Sequence, residues 1–538
     1  MAVLESSRVV DFSHDDALVL LAVLAAAVAM LAAAPALGVP YPILLVVGGL
    51  ALGFVPGLPD LELPPDLVLV AVLPPLLYSA AFFTSLRELR ANVRPISLLA
   101  IGLVLATTVG VAAVAHSLVG LSWPAAFVLG AIVSPTDPIA ATSIAQRLGI
   151  PRRIVTIVEG ESLINDGTAL VAYRFAVAAV VTGSFTLWEA GLRFAGNVAG
   201  GIAIGLAVGY LVRQARRRLD NPPVEITISL MTGYLAYLPA EAAGVSGVLA
   251  AVTVGIYVGW YAPELGSPQQ RLQGYAVWEI VIFLLNALLF ILIGLQLPLI
   301  LEALEGTSTT ALLGYAAAVS GAVIAIRFLW VFPATYLPRW ASRRVRERDP
   351  APPWQYPAAV SWMGMRGAVS LAAALALPYL TDAGAPFDAR DLIVFLTFSV
   401  ILVTLVFQGL SLPLVIRLLG LEEDEQTARE EAKARKYAAH AALARLEELF
   451  EEEWVQEETA ERLRGLYAFR RARFQARLDG GDDRRLDERS AAYQRLRREL
   501  LEAERRAVVE LRRTGRIDDE AMHRIQRDLD LEDVRLEI

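Results

Sequence analysis

The chain has 538 residues, 56% of them apolar, with no cysteine and with 48 basic against 56 acidic side chains. Those values exclude a single soluble domain, and with it disulfide and thiolate-metal chemistry. The average conceals two chains in one, because residues 421–538 hold 31 acids and 25 bases while the first 420 residues hold only 25 and 23.

Apolar runs of roughly 20 residues, the length that crosses a ~30 Å hydrocarbon core as a helix, recur along the first part. The residues ahead of the first run, Met1–Asp16, contain one arginine and four acids rather than a basic leader, so that run reads as a retained span. In chain order the predicted spans are 17–34, 39–55, 66–83, 96–118, 124–145, 153–182, 189–212, 223–240, 243–261, 276–299, 309–337, 355–380 and 390–418. The expected fold is therefore an all-α polytopic membrane protein of about thirteen transmembrane helices. Residues 1–420 form its membrane domain and 421–538 a charged helical cytoplasmic tail.

Alternate connections differ in charge. Arg87, Arg90 and Arg94 follow the third span, Arg147, Arg152 and Arg153 the fifth, Arg213 and Arg216–Arg218 the seventh, and Arg339, Arg343, Arg344, Arg346 and Arg348 the eleventh. The intervening loops are neutral or acidic, with Asp60, Glu62 and Asp66, then Glu302 and Glu305, then Asp382, Asp388 and Asp391. Arginine-rich loops stay in the cytoplasm, which puts the amino terminus outside and the tail inside. In the tail, Glu422–Arg477 and Leu486–Arg513 read as two solvated helical segments separated by a turn at Asp479-Gly480-Gly481-Asp482. Its net negative charge argues against a nucleic-acid partner.

Ionisable groups inside hydrocarbon cost at least ~2.5–3.5 kcal/mol each and therefore need a partner or a task. Asp137 lies within Ser134-Pro135-Thr136-Asp137-Pro138, where two prolines interrupt the fifth span. Unwound backbone at this depth persists where it is buried in protein or lines an aqueous cavity, and its free carbonyls and helix ends can hold a cation. The plainer reading, Asp137 as cap of the second half-helix, is compatible with that one. On the sixth span Ser162 and Asp166 sit one turn apart on one face, so hydroxyl and carboxylate share a space. Hard oxygen ligands suit a small cation, and a carboxylate in a partly dry site can also exchange a proton.

Arg366, between Gly364 and Gly367, needs a counter-ion, and Glu161 is the expected partner; the alternative is that each faces other groups. Arg174 and Arg327 are read as snorkelling to an interface. Glu159, Glu241, Glu279 and Asn286 are weaker candidates, and the four histidines form no relay.

Ser134-Pro135-Thr136-Asp137-Pro138, Glu159-Gly160-Glu161-Ser162-Leu163-Ile164-Asn165-Asp166-Gly167 and Gly364-Met365-Arg366-Gly367 resemble three motifs of the cation:proton antiporter family that contains the bacterial NhaP-type proteins and the animal NHE sodium/proton exchangers. The resemblance covers residues ~15–418. It implies two inverted six-helix repeats with broken crossing helices, a homodimer, and exchange of Na⁺, or Li⁺ or K⁺, for H⁺ across the plasma membrane. It implies that Asp166 takes cation or proton in alternation, that Asp137, Thr136 and Ser162 aid it as Na⁺ ligands, and that Asn165 and a Glu161–Arg366 pair hold the core. An asparagine before the aspartate goes with electroneutral exchange in that family. No cofactor and no enzymatic activity are implied. Ser79 stands where many prokaryotic relatives carry an acid, which bears on cation preference and pH range. The rival classes are a cation channel, a proton-coupled solute symporter and an intramembrane aspartyl protease; the last lacks a Gly-x-Gly-Asp pattern.

Overall fold

The computed structural model describes residues 14–56, 65, 67–183, 187–304, 306–421, 425–479 and 484–536, and every regular element among them is helical. Asp60, Glu62, Asp66, Glu305 and Glu422 lie outside the described residues, as does the tail turn beyond Asp479. The chain divides into two compact units, Met1–Glu423 and Asp424–Ile538.

The first unit begins with α1 (His14–Leu37), α2 (Tyr41–Gly53) and α3 (Leu73–Phe83). Pro74 and Pro75 supply no amide donor, and the turn ahead of them opens into π-helix over Leu67–Val72. A short α4 (Leu86–Ala91), started by the Ser85 hydroxyl as cap, leads to α5 (Val93–Ser97) and α6 (Val104–Val114), which are continuous through π-helical Leu98–Leu103. Then come α7 (Trp123–Ile132), α8 (Pro138–Arg147) and the 31-residue α9 (Arg152–Thr182). They are followed by α10 (Leu187–Arg216), α11 (Pro222–Ala242), α12 (Gly247–Tyr261), α13 (Pro268–Leu295) and α14 (Leu297–Glu302). The unit closes with α15 (Thr309–Ala341), α16 (Arg343–Arg348), α17 (Gln355–Trp362), α18 (Ala368–Leu375), α19 (Arg390–Leu402) and α20 (Gly409–Leu419). Six helices among the described residues are long and apolar enough to cross a membrane: Val93–Val119, Arg152–Thr182, Gly191–Arg216, Pro268–Glu302, Thr309–Ala341 and Arg390–Leu419.

Packing sorts these helices. α3, α10, α11 and α12 pack mainly on one another, and α5–α7, α9, α15 and α17–α20 form a second group, with α2 and α13 running side by side between them. Close approach depends on small residues, the usual means of bringing apolar helices together in lipid. A methyl at Gly49 would meet the Ile291 carbonyl and one at Gly294 the Val46 carbonyl, so α2 and α13 touch backbone to backbone. α9 meets the first group through a small apolar cluster in which Leu163 packs with Tyr237, Val248, Ala251 and Val252. This contact is the seam beside which the candidate site lies.

At one end of the second group a single carboxylate gathers three arginines from separate connections. Asp349 Oδ2 accepts from Arg94 at 2.6 Å and from Arg339 at 2.7 Å, and Oδ1 from Arg153 at 2.7 Å. The ends of α5, α9 and α15 are thereby tied together.

The second unit contains α21 (Glu425–Leu449), α22 (Glu457–Leu478), α23 (Arg484–Arg513) and α24 (Asp519–Leu536). The predicted continuous segment 422–477 is thus corrected to two helices. Glu451, Glu452 and Glu453 fall at the end of α21, where negative charge opposes the helix dipole, and the chain turns there. α21 packs on α22, while α23 and α24 are laced by Arg505 to Asp530 and Asp533, both at 2.9 Å.

Burial pushes the Asp349 carboxyl up, but the hydrogen bonds and charges of Arg153 and Arg339 outweigh it and hold the group below the usual carboxylate range. A depressed folded value means the contribution is present at neutral pH and is lost as pH falls through that value. Asp349→Asn is expected to lower thermal stability in detergent at pH 7 by about 1 kcal/mol, a partly exposed network being worth little more. The gap from the parent should begin to narrow in a melting series taken below about pH 4, the ordinary carboxylate value, and close only below the depressed folded value.

Candidate functional site

Two broken helices cross in the second packing group. The backbone between α7 and α8 is non-helical from Ser134 to Asp137, and that between α17 and α18 from Gly364 to Gly367. Each break leaves carbonyls at the end of one half-helix and amides at the start of the next without intrahelical partners. The breaks satisfy one another: Asp137 N donates to the Met365 carbonyl at 2.8 Å, and Arg366 Nε donates to the carbonyl of Val133, which terminates α7, at 3.0 Å. Arg366 also reaches the Gly364 carbonyl, and its own amide donates to Thr404 Oγ1 at 3.1 Å. The Asp137 carboxylate accepts from Ile139 N at 2.9 Å as N-cap of α8. Gly367 leaves the space this carboxylate needs, because a methyl there would collide with it; the start of α18 therefore also faces Asp137. Partial positive charge at two helix starts thus favours the anion.

The expected Glu161–Arg366 pair is corrected. Glu161 is held bidentately by Arg327, Nη1 to Oε1 at 2.5 Å and Nη2 to Oε2 at 2.8 Å, with both side chains only 1% exposed. Arg327 Nε and Nη2 also donate to the Val360 carbonyl, in the last turn of α17, at 3.1 and 3.0 Å. Snorkelling is excluded for Arg327 by its place near the middle of the 33-residue α15. A methyl at Gly364 would strike the Arg327 side chain, so this glycine makes room for the guanidinium. Arg174, the other arginine read as snorkelling, pairs with Glu241 at 2.6 Å.

Thr136 is the hub of the neutral groups. Its hydroxyl donates to Glu161 Oε1 at 3.2 Å, lies 3.1 Å from Ser162 Oγ, and accepts from Asn165 Nδ2 at 2.8 Å. Glu161, clamped by a guanidinium, serves as acceptor, so the one Thr136 proton goes to it and Ser162 donates to Thr136. The Thr136 hydroxyl is then saturated and has no lone pair left for a cation. Its side chain organises the neutral groups of the site. Asn165 must turn its amide nitrogen to Thr136, which leaves Oδ1 buried and without a partner among the described residues. Ser162 lone pairs and Asn165 Oδ1 are the free acceptors.

Asp166, partly buried on α9, takes no hydrogen bond or ion pair from any described residue. It is close enough to Asp137 for their charges to interact, and Gly167 beside it faces Val248 and Leu249 of α12 across the seam. The weaker candidates stand apart. Asn286 is buried on α13 with Oδ1 unpaired, Glu279 is exposed, and the Ser79 hydroxyl donates to the Leu76 carbonyl at 2.9 Å. Sequence reasoning missed Arg327 as partner of Glu161, although its distance from both ends of a long apolar run was the available signal.

A membrane protein with two crossing broken helices and an unpaired acid at the crossing belongs to the class of ion-coupled transporters by its architecture. The model of the family described as sodium/hydrogen exchanger, transmembrane, matches residues 20–418, and the chain belongs to that family. A sodium/proton exchanger of Mycobacterium tuberculosis, itself uncharacterized, is 40% identical over 97% of both chains. The Na⁺/H⁺ antiporter ApNhaP of Aphanothece halophytica is 33% identical over 76% of this chain and 75% of its own. A sodium, potassium, lithium and rubidium/H⁺ antiporter of Bacillus subtilis is 35% identical over 70% of this chain and 58% of its own. The fold is similar to that of the sodium proton antiporter MjNhaP1 from Methanocaldococcus jannaschii, with a TM-score of 0.60 at 18% identity over 75% of this chain and 97% of that one.

Removing Arg327 strands a buried carboxylate, which costs about 3–5 kcal/mol. Arg327→Gln is expected to abolish monodisperse protein in detergent chromatography, and Glu161→Gln/Arg327→Met to recover much of it, since the double variant leaves no unpaired charge.

Proposed function

We propose that this protein is a secondary antiporter exchanging Na⁺, or Li⁺ or K⁺, for H⁺, with cation and proton competing for Asp166. One observation carries the reading. The five charged side chains gathered at the crossing, three acids and two arginines, sum to one negative charge; Glu161 is matched by Arg327, Asp137 caps α8, and Asp166 takes no hydrogen bond or ion pair from any described residue. One monovalent cation or one proton balances it. Ser162 Oγ and Asn165 Oδ1 supply hard, neutral acceptors for the cation, and Asp137 adds a second carboxylate held by helix ends. The names of the curated relatives, which span Na⁺/H⁺ and broader alkali-cation antiporters, support the substrate class.

Because one carboxylate carries either ion, the loaded site has the same charge in both directions and the exchange is electroneutral. We assign thirteen spans in two inverted six-helix repeats, with α7–α8 and α17–α18 as equivalent broken spans. The assembly is a homodimer in the plasma membrane, amino terminus outside and tail cytoplasmic. The convergence of Arg94, Arg153 and Arg339 on Asp349 supports this orientation, since it gathers three of the four arginine-rich connections on one face.

The test is proton flux in liposomes with a pH dye inside, pulsed with Na⁺, Li⁺, K⁺ or choline at clamped voltage. Alkali-cation-driven flux that is insensitive to voltage is expected from the parent. In Asp166→Asn, purified as a folded protein, flux should fall to that of empty vesicles; full flux in this variant would overturn competition at Asp166.

A further inference from the structure

Asp166 lies beside the seam between the two packing groups, so any change in which side it faces has to alter contacts across that seam. Most of these contacts are apolar and small, as in the cluster of Leu163, Tyr237, Val248 and Val252. Apolar contacts of this kind slide at little cost. One polar contact differs. Arg174 of α9 donates to Glu241 Oε2 of α11 at 2.6 Å, and among the described residues it is the one salt bridge between the two groups.

Its position is informative. Arg174 follows Asp166 by eight residues on a continuous helix, which places it about 12 Å farther along the axis. That displacement leads away from the α9 end where Arg153 meets Asp349. The two arginine sites thus stand on opposite sides of Asp166 along α9.

The chemistry fits a contact that is made and broken. Glu161–Arg327 lies within one packing group, is fully buried, and has nothing to exchange with. Arg174 and Glu241 are 46% and 29% exposed, so protein packing does not lock either partner in place. The other Glu241 oxygen accepts from Gly247 N at 3.0 Å, at the first turn of α12. When the arginine leaves, the carboxylate remains fixed to its own group and keeps its position for the return.

We propose that Arg174–Glu241 is an outer latch, an ion pair that holds the seam closed on the external side of Asp166 and opens when the site turns outward. The proposal rests on the antiport reading for its direction, and its test includes a measurement that does not depend on flux.

The chain contains no cysteine, so the paired substitution Arg174→Cys/Glu241→Cys introduces its only thiols. Joining them with a short bifunctional thiol reagent should stop cation-driven proton flux, and reductant should restore it, while either single cysteine treated in the same way keeps its flux. Bridged protein, verified by mass, that exchanges at the unbridged rate would overturn the latch. The second arm follows labelling of Leu170→Cys, one turn beyond Asp166 on the same face, by a membrane-impermeant thiol reagent applied outside. Arg174→Gln or Glu241→Gln is expected to speed labelling about two- to five-fold, the range a partly exposed ion pair can supply. The swap Arg174→Glu/Glu241→Arg should return the rate toward the parent's. Equal labelling in all four proteins would sink the proposal. A parent protein without flux would instead defeat the antiport reading and leave labelling to decide the latch.

Discussion

Unwound backbone in the middle of a membrane has no water to bond to, and everything around Asp166 follows from how this chain meets that constraint. Two breaks cross, and each is completed largely by the other. The first half-helix of each broken pair ends on carbonyls that an arginine occupies, Val133 of α7 by Arg366 and Val360 of α17 by Arg327. At the starts of the second half-helices the compensating group is Asp137, which caps α8 and abuts Gly367 before α18. Charges that are costly alone become inexpensive here because each also satisfies backbone groups that would otherwise be orphaned.

The two arginines are therefore not interchangeable, although both are buried among the same elements. Arg327 offers a fork to a carboxylate and spends its remaining donors on one carbonyl. Arg366 has no direct carboxylate partner among the described residues and binds backbone on both broken spans. Planar guanidinium geometry makes both roles possible, and a lysine at either place would supply a point charge without the fixed fork. Gly364 and Gly367 belong to the same design, one clearing space for the Arg327 stem and the other for the Asp137 carboxylate.

Much of this was legible in the sequence because the physics is local. Pro135 and Pro138 remove donors from a run that hydropathy requires to be a helix, so a break at Asp137 follows from covalent structure alone. The Ser162–Asp166 spacing likewise fixes a shared face. The pairing of Glu161 was not legible, because it depends on which of two arginines a long-range crossing delivers. Proximity in a motif favoured Arg366, whereas the deciding facts were the lateral position of α15 and the carbonyl of Val133, neither of which has a sequence signature. Arg327 did carry one overlooked signal. It sits at least fourteen residues from either end of α15, about 20 Å of helix, farther than a side chain can snorkel. The break between α21 and α22 was missed for a different reason: Ala, Leu, Glu and Arg continue through it, and only the direction of the acidic run against the helix dipole marks the stop.

The Arg327–Glu161 clamp also determines the polarity of atoms it does not touch. A carboxylate held in a guanidinium fork can only accept, so the Thr136 proton points to Glu161. Thr136 must then accept from both Ser162 and Asn165, which turns the amide nitrogen inward and leaves Asn165 Oδ1 and the Ser162 lone pairs as acceptors. Breaking the clamp would free the Thr136 proton to point elsewhere, and Ser162 and Asn165 could reverse in turn. In the proposed cycle this distant pair thus does two things at once. It removes Glu161 from competition for the transported ion, and through one hydroxyl it keeps the neutral groups near Asp166 presenting oxygen. The crossing then carries one net negative charge, and in that cycle sodium or a proton at Asp166 balances it.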